Sequence, residues 1–492
     1  MDEKTIDIEN SEKSLDKESV NDERFLSQWT KRLLALGVES RGIRPVPPEE
    51  RTDTQLFKLF FIWFSVNCNA LAFSSGTIGP VVYGLGLRDS CLTILFFDLL
   101  CFAPPAYFST WGPKLGMRQM IMSRYSFGYY GVIVTCILNL AGMCGFGTLN
   151  SILGGQALSS AADGKLSWTV GIVIIDVIAL LVSFCGMRYL LWYERVSWIP
   201  AFITFLIALG VGGKSLSSPQ PDSPATIPAI LGFASTLAGF AITFSPLSSD
   251  FTIYFDSKSS GWKVFLYAYL GFLLPTVLLQ VSGAAVAIAT PQVPAWADAY
   301  QGGNVGGLIA AMLQPTKGFG KVLIALLSLS TTGNIAATLY SVGINLQVFA
   351  PFLVAVPRYV FSIVATAIVI SLAVVGAHRF YDTLNNFLGV IGYWAAAYVG
   401  ILLVEHLLFR RNNAELYNVQ FWDKPRKLPS GIAALAAGIA SFGLVVPCIG
   451  QVWYTGPIAK ITGDIGFEVA FAVSTLLYIP FRAIEIRLRG SL

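Results

Sequence analysis

Phe146 and Asn150 stand four residues apart in an apolar stretch, a spacing that places both side chains on one face of a helix. An aromatic face can stack on a flat ring, and an amide can donate and accept hydrogen bonds at the edge of that ring. The chain shows no nucleophile–base set, no Gly-rich phosphate loop and no Cys/His metal spacing, and it has only two His residues. The sequence therefore predicts recognition of a ligand, without an enzymatic reaction, a cofactor or a resident metal.

Two interrupted apolar segments supply further candidates. The first contains Ser74 and Ser75 at its expected break, and the second carries Phe240 and Phe244 four residues apart. Backbone at membrane depth unwinds only where it is buried in protein or lines a cavity. Matching interruptions in two halves of a chain point to a central binding site. We predict that a Ser hydroxyl and a Phe ring from these segments contact the ligand; core packing is the alternative for each ring.

Composition identifies the elements that position these residues. Of the 492 residues, 54% are hydrophobic and 13% are charged, and the mean hydropathy is +0.63. Soluble domains carry about 25% charged residues, and a span needs about 20 apolar residues. The sequence predicts an all-α integral membrane protein with about twelve transmembrane helices. The predicted spans 1 to 12 lie near 57–86, 91–110, 128–157, 167–186, 196–213, 227–249, 263–289, 318–346, 357–377, 384–408, 430–452 and 464–484.

Spans 1–5 and 6–10 form two groups that each open with an interrupted span. This arrangement predicts a five-plus-five inverted repeat with two additional helices. The predicted divisions are a disordered cytosolic tail at 1–54, a first repeat at 55–213, a second repeat at 226–411 and two further helices at 428–485. The apolar run Val305–Leu313 is too short to cross a bilayer, which indicates an external or re-entrant helix.

Positive charge is concentrated in the loops on the side of the N-terminus, a bias that predicts two cytosolic termini. Residues 1–30 are polar and lack the apolar core of a signal peptide. Lys4, Lys13 and Lys17 in this tail could accept ubiquitin, and a tail that is merely solvated explains them equally well.

Coupling to an ion needs a titratable or ion-binding group at membrane depth. Acidic residues within the spans or near their ends are Asp98, Asp176, Glu405, Glu468, Glu194 and Asp250. We favour Glu194 or Asp250 as an ion of a structural gate. Asp98 is a candidate proton relay, with an interior hydrogen bond as the alternative. Asn385, at the start of span 10, is a candidate for a gate helix that closes over the ligand.

Several short motifs are spread along most of the chain and are informative as a set. The loop after span 2 carries G-M-R and R-Y-S-F-G at 116–128, span 3 ends in F-G-T-L-N at 146–150, and L-P-S-G stands at 428–431. Together they resemble the nucleobase–cation symporter-1 family, and within it the fungal purine–cytosine permeases. The resemblance runs from about residue 40 to the end. It implies a LeuT-like fold and proton-coupled uptake of purines and cytosine across the plasma membrane.

The resemblance also implies roles for single residues. It assigns stacking to the aromatic residue at 146 and hydrogen bonding to the amide at 150. Asn334 matches the first Asn of a base-binding stretch in span 8. Ala337 and Thr338 stand where purine–cytosine permeases often carry Pro and a further Asn, so substrate identity stays open at this point.

Several alternatives remain at the level of sequence. Related permeases carry allantoin, uracil, uridine, thiamine or vitamin B6. A nutrient receptor that binds its ligand without transporting it is the alternative from another class. The expected partners are a nucleobase, a proton and the lipid bilayer, and no nucleic acid is expected.

Overall fold

Helices that follow one another in an antiparallel bundle make up most of the molecule. The computed structural model describes residues 42–184, 187–216, 224–349, 353, 356 and 358–492, apart from the side chains of 187–192, 194, 195 and 358. Spans 1 to 6 are Phe57–Asn67 with Ala70–Tyr83, Leu87–Cys101 continued by Ala103–Ser109 and Trp111–Leu115, Gln119–Ala161, Trp168–Phe184, Met187–Leu216, and Ile227–Ile242. Spans 7 to 12 are Gly261–Ala289, Gly318–Phe349, Arg358–Gly376, Phe380–Val404, Ile432–Cys448 and Gly466–Arg489.

The membrane-crossing helices agree with the predicted number. Within the described residues, eight segments are long and apolar enough to cross a membrane, or nine if the bent pair of span 1 counts as one. That count joins spans 9 and 10 into Tyr359–Phe409, although the 3-10 turn Ala377–Arg379 divides them. It also leaves aside the shorter apolar helices of spans 4 and 11. With these included, the described bundle has the twelve spans expected from the sequence.

Short elements connect the spans. Between spans 7 and 8 lie Thr290–Gln292, Pro294–Ala299, Gln301–Gly303, Val305–Leu313 and Gln314–Thr316. The helix Val305–Leu313 confirms the prediction of a short non-crossing helix, and it packs against spans 3 and 5. Further short elements are Ser245–Phe251 after span 6, the π turn Glu405–Phe409 after span 10, Pro48–Glu50, Ala414–Leu416, Val419–Phe421, Ala459–Thr462, and an antiparallel hairpin of Gly450–Gln451 with Tyr454–Thr455.

Span 1 breaks at Cys68 and Asn69, where two half-helices meet at 55°. The Asn69 side chain causes the restart, because its Oδ1 accepts from the backbone N–H groups of Leu71 at 2.9 Å and Ala72 at 3.0 Å. The prediction that Ser74 and Ser75 mark the break is therefore wrong. Both lie inside the second half-helix, fully buried, because the amide cap two turns earlier sets the start of that helix.

Span 6 is interrupted where the sequence predicted. Its α-helix ends at Ile242, and the chain continues as the 3-10 turn Ser245–Phe251. Pro246 lies in the first turn of this element, where its missing N–H costs no hydrogen bond. Phe244 lies between the two helical segments and keeps helical backbone angles, with φ -74° and ψ -19°.

Two of the sequence motifs meet at the start of span 3. Gly128 has φ 71°, and a Cβ there would lie 2.5 Å from the carbonyl oxygen of Pro429. Gly431 has φ 81°, and its Cβ would collide with the carbonyl oxygen of Phe127. Both positions need a residue without a side chain, for left-handed backbone and for close approach. The R-Y-S-F-G and L-P-S-G motifs therefore form one contact that joins span 3 to span 11.

The N-terminal boundary of the bundle lies earlier than predicted. Residues 42–54, expected within a disordered tail, pack against the ends of spans 2 and 3. Val46 is buried and its N–H donates to Gly116 O at 2.8 Å, while Arg51 Nη1 donates to Pro113 O at 2.7 Å. Val46 is buried, and Arg51 donates to a carbonyl of span 2. This segment is therefore folded against the bundle and is not part of a disordered tail. The rest of the predicted tail, 1–41, lies outside the described residues.

Candidate functional site

Aromatic rings from spans 3, 6 and 10 meet in the middle of the bundle. The Phe146 ring centroid lies 6.3 Å from Phe244 with nearly parallel planes, and 6.2 Å from Phe240 with an edge-on plane. Phe387 adds a third partner, 5.3 Å from Phe146 and edge-on. The structure therefore brings together the three rings predicted from the sequence. Rings at these angles form an apolar wall against which a flat ligand can pack.

A chain of amide hydrogen bonds runs beside this wall. Asn150 Nδ2 donates to Asn334 Oδ1 at 3.0 Å and to Phe146 O at 2.9 Å. Asn334 Nδ2 in turn donates to Val66 O at 3.0 Å, a carbonyl in the last turn before the break of span 1. Spans 1, 3 and 8 are thereby connected through two side chains that the sequence singled out. Asn150 Oδ1 is buried and, within the described residues, accepts no hydrogen bond, so one acceptor is left for a ligand.

The predicted hydroxyl groups are engaged inside their own helices. Ser74 Oγ donates to Ala70 O at 2.7 Å, Ser75 Oγ donates to Ala72 O at 2.8 Å, and Thr338 Oγ1 donates to Asn334 O at 2.9 Å. Thr338 lies one turn beyond Asn334 on span 8. These hydroxyls retain lone pairs as acceptors, but their hydrogens are already used.

Three residues near the site were not selected from the sequence. Phe387 follows the Asn385–Asn386 pair that marked the start of span 10, and its ring occupies the space where a Cβ on Gly145 would lie. Trp63 packs edge-on against Phe244 at 5.9 Å. Gln280 on span 7 donates to Ser75 Oγ at 3.1 Å. A single sequence carries no signal for these contacts, because each joins segments more than one hundred residues apart.

Asn385 lies in a set of contacts between spans on the face opposite residue 57. Its Oδ1 accepts from Thr236 Oγ1 at 3.0 Å and from Tyr83 OH at 3.4 Å, which joins span 10 to spans 6 and 1. Nearby, Tyr381 OH bonds Thr77 Oγ1 at 2.9 Å and also contacts the Tyr300 hydroxyl. Burial raises the pKa of the Tyr300 phenol, which lies in the segment between spans 7 and 8 and stays protonated as a hydrogen-bond donor.

Asp250 lies in a set of contacts between spans on the face that carries residue 57. Its Oδ1 accepts from the backbone N–H of Gln119, the first residue of span 3, at 2.7 Å. Ser249 N donates to Gln119 Oε1 at 3.3 Å, and Ser65 Oγ pairs with Ser197 Oγ at 3.0 Å between spans 1 and 5. The central rings and amides therefore lie between two sets of contacts that join the spans.

Asp98 and Glu194 are the remaining residues predicted to act in coupling or gating. Asp98 is fully buried in span 2, and neither carboxyl oxygen has a hydrogen-bond partner in the described part of the chain. The side chain of Glu194 lies outside the described residues. Neither residue is brought to the central rings by a contact that the structure describes.

A separate cavity of about 900 Å³ opens on the face opposite residue 57. It lies between the end of span 3 and the start of span 8, and its walls include Ser159, Trp168, Asn304 and Lys321. None of the predicted ligand-binding residues lines it. Among the residues that the structure describes, no three His, Cys, Asp or Glu side chains converge as metal ligands.

These features define a class of protein. Two helices are interrupted at membrane depth, and polar side chains face one another inside the bundle. This is the architecture of a secondary membrane transporter.

The comparison with protein families agrees. A family model described as permease for cytosine/purines, uracil, thiamine, allantoin matches residues 45–469. The chain belongs to this family, that of the nucleobase–cation symporters, and it is a transporter rather than an enzyme.

Three curated relatives cover nearly the whole chain. The purine-cytosine permease fcyB of Emericella nidulans is 37% identical over 462 residues, which are 92% of this chain and 90% of the relative. The purine-cytosine permease FCY21 of Saccharomyces cerevisiae is 33% identical over 467 residues, covering 92% and 88%. The vitamin B6 transporter TPN1 of the same yeast is 28% identical over 539 residues, covering 98% and 93%.

A solved structure confirms the fold. Mhp1, a nucleobase-cation-symport-1 family transporter in a closed conformation with bromovinylhydantoin bound, superposes with a TM-score of 0.70 at 16% sequence identity. The match covers 91% of this chain and 96% of Mhp1. The LeuT-like, all-α membrane architecture expected from the sequence is therefore correct.

Proposed function

We propose that this protein is a proton-coupled symporter that takes up purine bases and cytosine by alternating access. One observation carries the substrate assignment: the unpartnered Asn150 Oδ1 stands beside the wall of Phe rings. Adenine and cytosine present an exocyclic amino group in the plane of the ring, which can donate to this acceptor while the ring packs on Phe146. The purine–cytosine permeases among the relatives support the same substrate class.

Contacts of Val66 favour a proton over a sodium ion as the coupled species. The break of span 1 releases backbone carbonyls that can coordinate a cation, as in other transporters with interrupted helices. Here Val66 O instead accepts from Asn69 Nδ2 at 2.6 Å and from Asn334 Nδ2 at 3.0 Å. Two amide donors occupy both lone pairs of this carbonyl, so it has none to offer a metal ion.

The proposed location is the plasma membrane, with both termini in the cytosol. The loop between spans 10 and 11, on the face of residue 57, carries five basic residues: Arg410, Arg411, Lys424, Arg426 and Lys427. Such a cluster favours the cytosolic side. We also propose that spans 1–5 and 6–10, within 55–213 and 226–411, are the two inverted repeats, and that the helices at 428–485 lie outside them. Ubiquitin ligation at Lys4, Lys13 or Lys17 remains a proposal for the N-terminal segment.

Vitamin B6 is the second candidate substrate. Thr338 stands where the resemblance to the purine–cytosine permeases leads us to expect Asn, and the relative TPN1 is named as a vitamin B6 transporter. A hydroxyl offers one donor where an amide offers donor and acceptor, which suits a ligand with fewer edge groups.

The test is uptake of radiolabelled cytosine, adenine and hypoxanthine by yeast that lacks its own base carriers. Unlabelled uracil, allantoin and pyridoxine serve as competitors, and a protonophore removes the driving force. Concentrative base uptake that the protonophore abolishes supports the proposal. Accumulation of pyridoxine alone would move the substrate to vitamin B6. Ligand binding at the cell surface without accumulation would identify a receptor instead of a transporter.

A further inference from the structure

Asp176 is a buried acid that the predicted coupling residues did not include. It lies in the middle of span 4 and its side chain is 0% exposed. Its Oδ1 is 2.7 Å from Ser151 Oγ on span 3, and Oδ2 has no partner in the described structure. Ser151 directly follows Asn150, so this carboxyl group is one residue away from the amide of the candidate site.

The hydrogen bonds of Ser151 bear on the protonation of Asp176. Ser151 Oγ is also 2.8 Å from Gly147 O, an acceptor one turn earlier in span 3. A hydroxyl has one hydrogen, and neither a backbone carbonyl nor a carboxylate can supply another. Ser151 Oγ therefore either shares its hydrogen between Gly147 O and Asp176 Oδ1, or donates to Gly147 O while a protonated Asp176 donates to Ser151 Oγ. The second arrangement gives each contact a hydrogen of its own and leaves a place for one proton at Asp176.

Close packing keeps water away from this carboxyl group. Gly155 and Gly171 bring spans 3 and 4 together, since a Cβ on Gly171 would lie 2.8 Å from the Gly155 carbonyl oxygen. A Cβ on Gly154 would lie 3.1 Å from the side chain of Ile175, the neighbour of Asp176. An ionised carboxylate without a partner is strongly disfavoured in such surroundings, whereas the neutral acid needs only one acceptor.

No described cation offsets a negative charge at Asp176. Span 4 packs against spans 3, 5, 8 and 9. The titratable side chains that the structure describes on these spans are Arg124, Tyr125, Tyr129, Tyr130, Cys136, Cys144, Tyr193, Lys214, Lys321, Tyr340 and Tyr359. Within this part of the chain, Ser151 is the single hydrogen-bond partner of Asp176. Lys321 pairs with Asp163 at the end of the bundle, and Tyr193 donates to Leu329 O. The side chains of Arg188, Glu194, Arg195 and Arg358 lie outside the description.

We propose that Asp176, hydrogen bonded to Ser151, binds the proton that this transporter carries together with its substrate. This proposal rests on the proposed function and names the coupling group within it. Loss of the proton leaves a carboxylate that competes with Gly147 O for the Ser151 hydrogen. The Ser151 hydrogen then turns from Gly147 O toward span 4, so the hydrogen bonding of span 3 changes one residue from Asn150. Proton release and ligand release on the same side are thereby connected through span 3.

The experiment uses the purified full-length protein in proteoliposomes, with two readouts for each variant. Accumulation of labelled base under an imposed pH gradient measures coupling, and exchange of internal for external base without a gradient measures binding and movement. Asp176→Asn keeps a hydrogen-bond donor toward Ser151 Oγ, but its side-chain amide cannot bind and release a proton. We expect it to exchange base at a rate within about twofold of the native protein, and to lose accumulation and base-driven proton entry.

Asp98→Asn tests the rival candidate relay on span 2. The control is Glu468→Gln at the start of span 12, because both carboxyl oxygens of Glu468 are buried and lack partners in the described structure. We expect it to keep both exchange and accumulation. Ser151→Ala is the second variant, used also if Asp176→Asn is not recovered as a folded protein. It retains the acid but removes its acceptor, and we expect accumulation to move to lower external pH while exchange is retained.

The outcomes separate the two proposals. If the native protein accumulates no base, the proposed function fails. If the native protein accumulates base and Asp176→Asn does so with the same proton entry, Asp176 is not the coupling group. Loss of coupling in Asp98→Asn but not in Asp176→Asn would identify Asp98 on span 2 as the coupling group. A Ser151→Ala protein with an unchanged pH dependence of accumulation would also overturn the assignment.

Discussion

Asn150 on span 3 donates its side-chain amide to the side-chain oxygen of Asn334 on span 8 at 3.0 Å. The same two helices are joined again by Asn139, which donates to Asn345 Oδ1, also at 3.0 Å. Both residues of the second pair lie eleven positions along their helices from the first, and eleven residues are close to three turns. The bundle therefore contains two equivalent amide pairs on one interface, and only the first lies beside the Phe rings.

This repetition allows a controlled test of substrate contact. Asn150→Ala removes the free acceptor and leaves Asn334 Oδ1 without its donor, so we expect the apparent affinity for cytosine or adenine to fall about tenfold or more. Asn139→Ala breaks the same kind of pair away from the rings, and we expect affinity to stay within about twofold. Competition binding to purified protein measures both. An equal loss in the two variants would show that the Asn150 pair acts only in helix packing.

The sequence identified Asn150 and Asn334 as candidate residues, but it did not predict the hydrogen bond between their side chains. Helical spacing placed Phe146 with Asn150, and Phe240 with Phe244, because such neighbours are local. The position of the break in span 1 was missed, since Ser, Gly and Pro nearby gave the stronger signal and the cap formed by Asn69 depends on backbone geometry. Phe387 and Gln280 reach the site only through helix packing. Distances between segments of this kind follow from the tertiary fold and not from any local pattern.

Gly76 is one of the glycines that let span 1 pack closely against span 7. A Cβ on Gly76 would collide with the carbonyl oxygen and Cα of Gln280, and backbone atoms cannot move aside as a side chain can. We expect Gly76→Ala to destabilise the folded protein by about 1–3 kcal/mol and to reduce surface expression. Gly142→Ala is the control, since a Cβ on this buried helical glycine meets no other segment within 4 Å. Melting temperatures in detergent compare the two, and equal values would contradict the predicted clash.

A buried ion network fixes span 12 to span 10. Glu405 accepts from Arg482 Nε at 2.9 Å, from Arg410 Nε at 2.9 Å and from Tyr478 OH at 2.9 Å, and Arg482 Nη1 also pairs with Glu485 at 2.9 Å. The Arg482 side chain is 0% exposed. Removing one partner of such a network leaves an uncompensated buried charge, which costs about 3–5 kcal/mol.

We therefore expect Glu405→Gln to lower the melting temperature clearly and to reduce the amount of folded protein. The control is Lys321→Ala, which breaks the exposed pair of Lys321 with Asp163 at 2.6 Å. An exposed pair is screened by water and salt, so this variant should melt as the native protein does. A Glu405→Gln protein with native stability would mean that Arg482 finds another acceptor.

Asn385 and Asn386 are adjacent in span 10 but bond to different parts of the molecule. Asn385 Oδ1 holds Thr236 of span 6 and Tyr83 of span 1, whereas Asn386 Oδ1 accepts from Val452 N in the hairpin after span 11. Of these two residues, only Asn385 joins span 10 to spans 6 and 1, the segments that separate when the face opposite residue 57 opens in the proposed transport cycle. A lost hydrogen bond is worth about 1 kcal/mol, which changes the ratio of closed to open forms severalfold.

Asn385→Ala should therefore shift the protein toward the form that is open on the face opposite residue 57. Spin labels at Val82 and Asp382, on spans 1 and 10, report that opening as a longer distance in pulsed electron paramagnetic resonance. Asn386→Ala, with the same labels, should retain the native distance distribution. If both variants or neither shows the longer distance, the contacts of Asn385 with Thr236 and Tyr83 do not hold this face closed, and span 10 is retained there by the Tyr381 hydroxyl contacts instead.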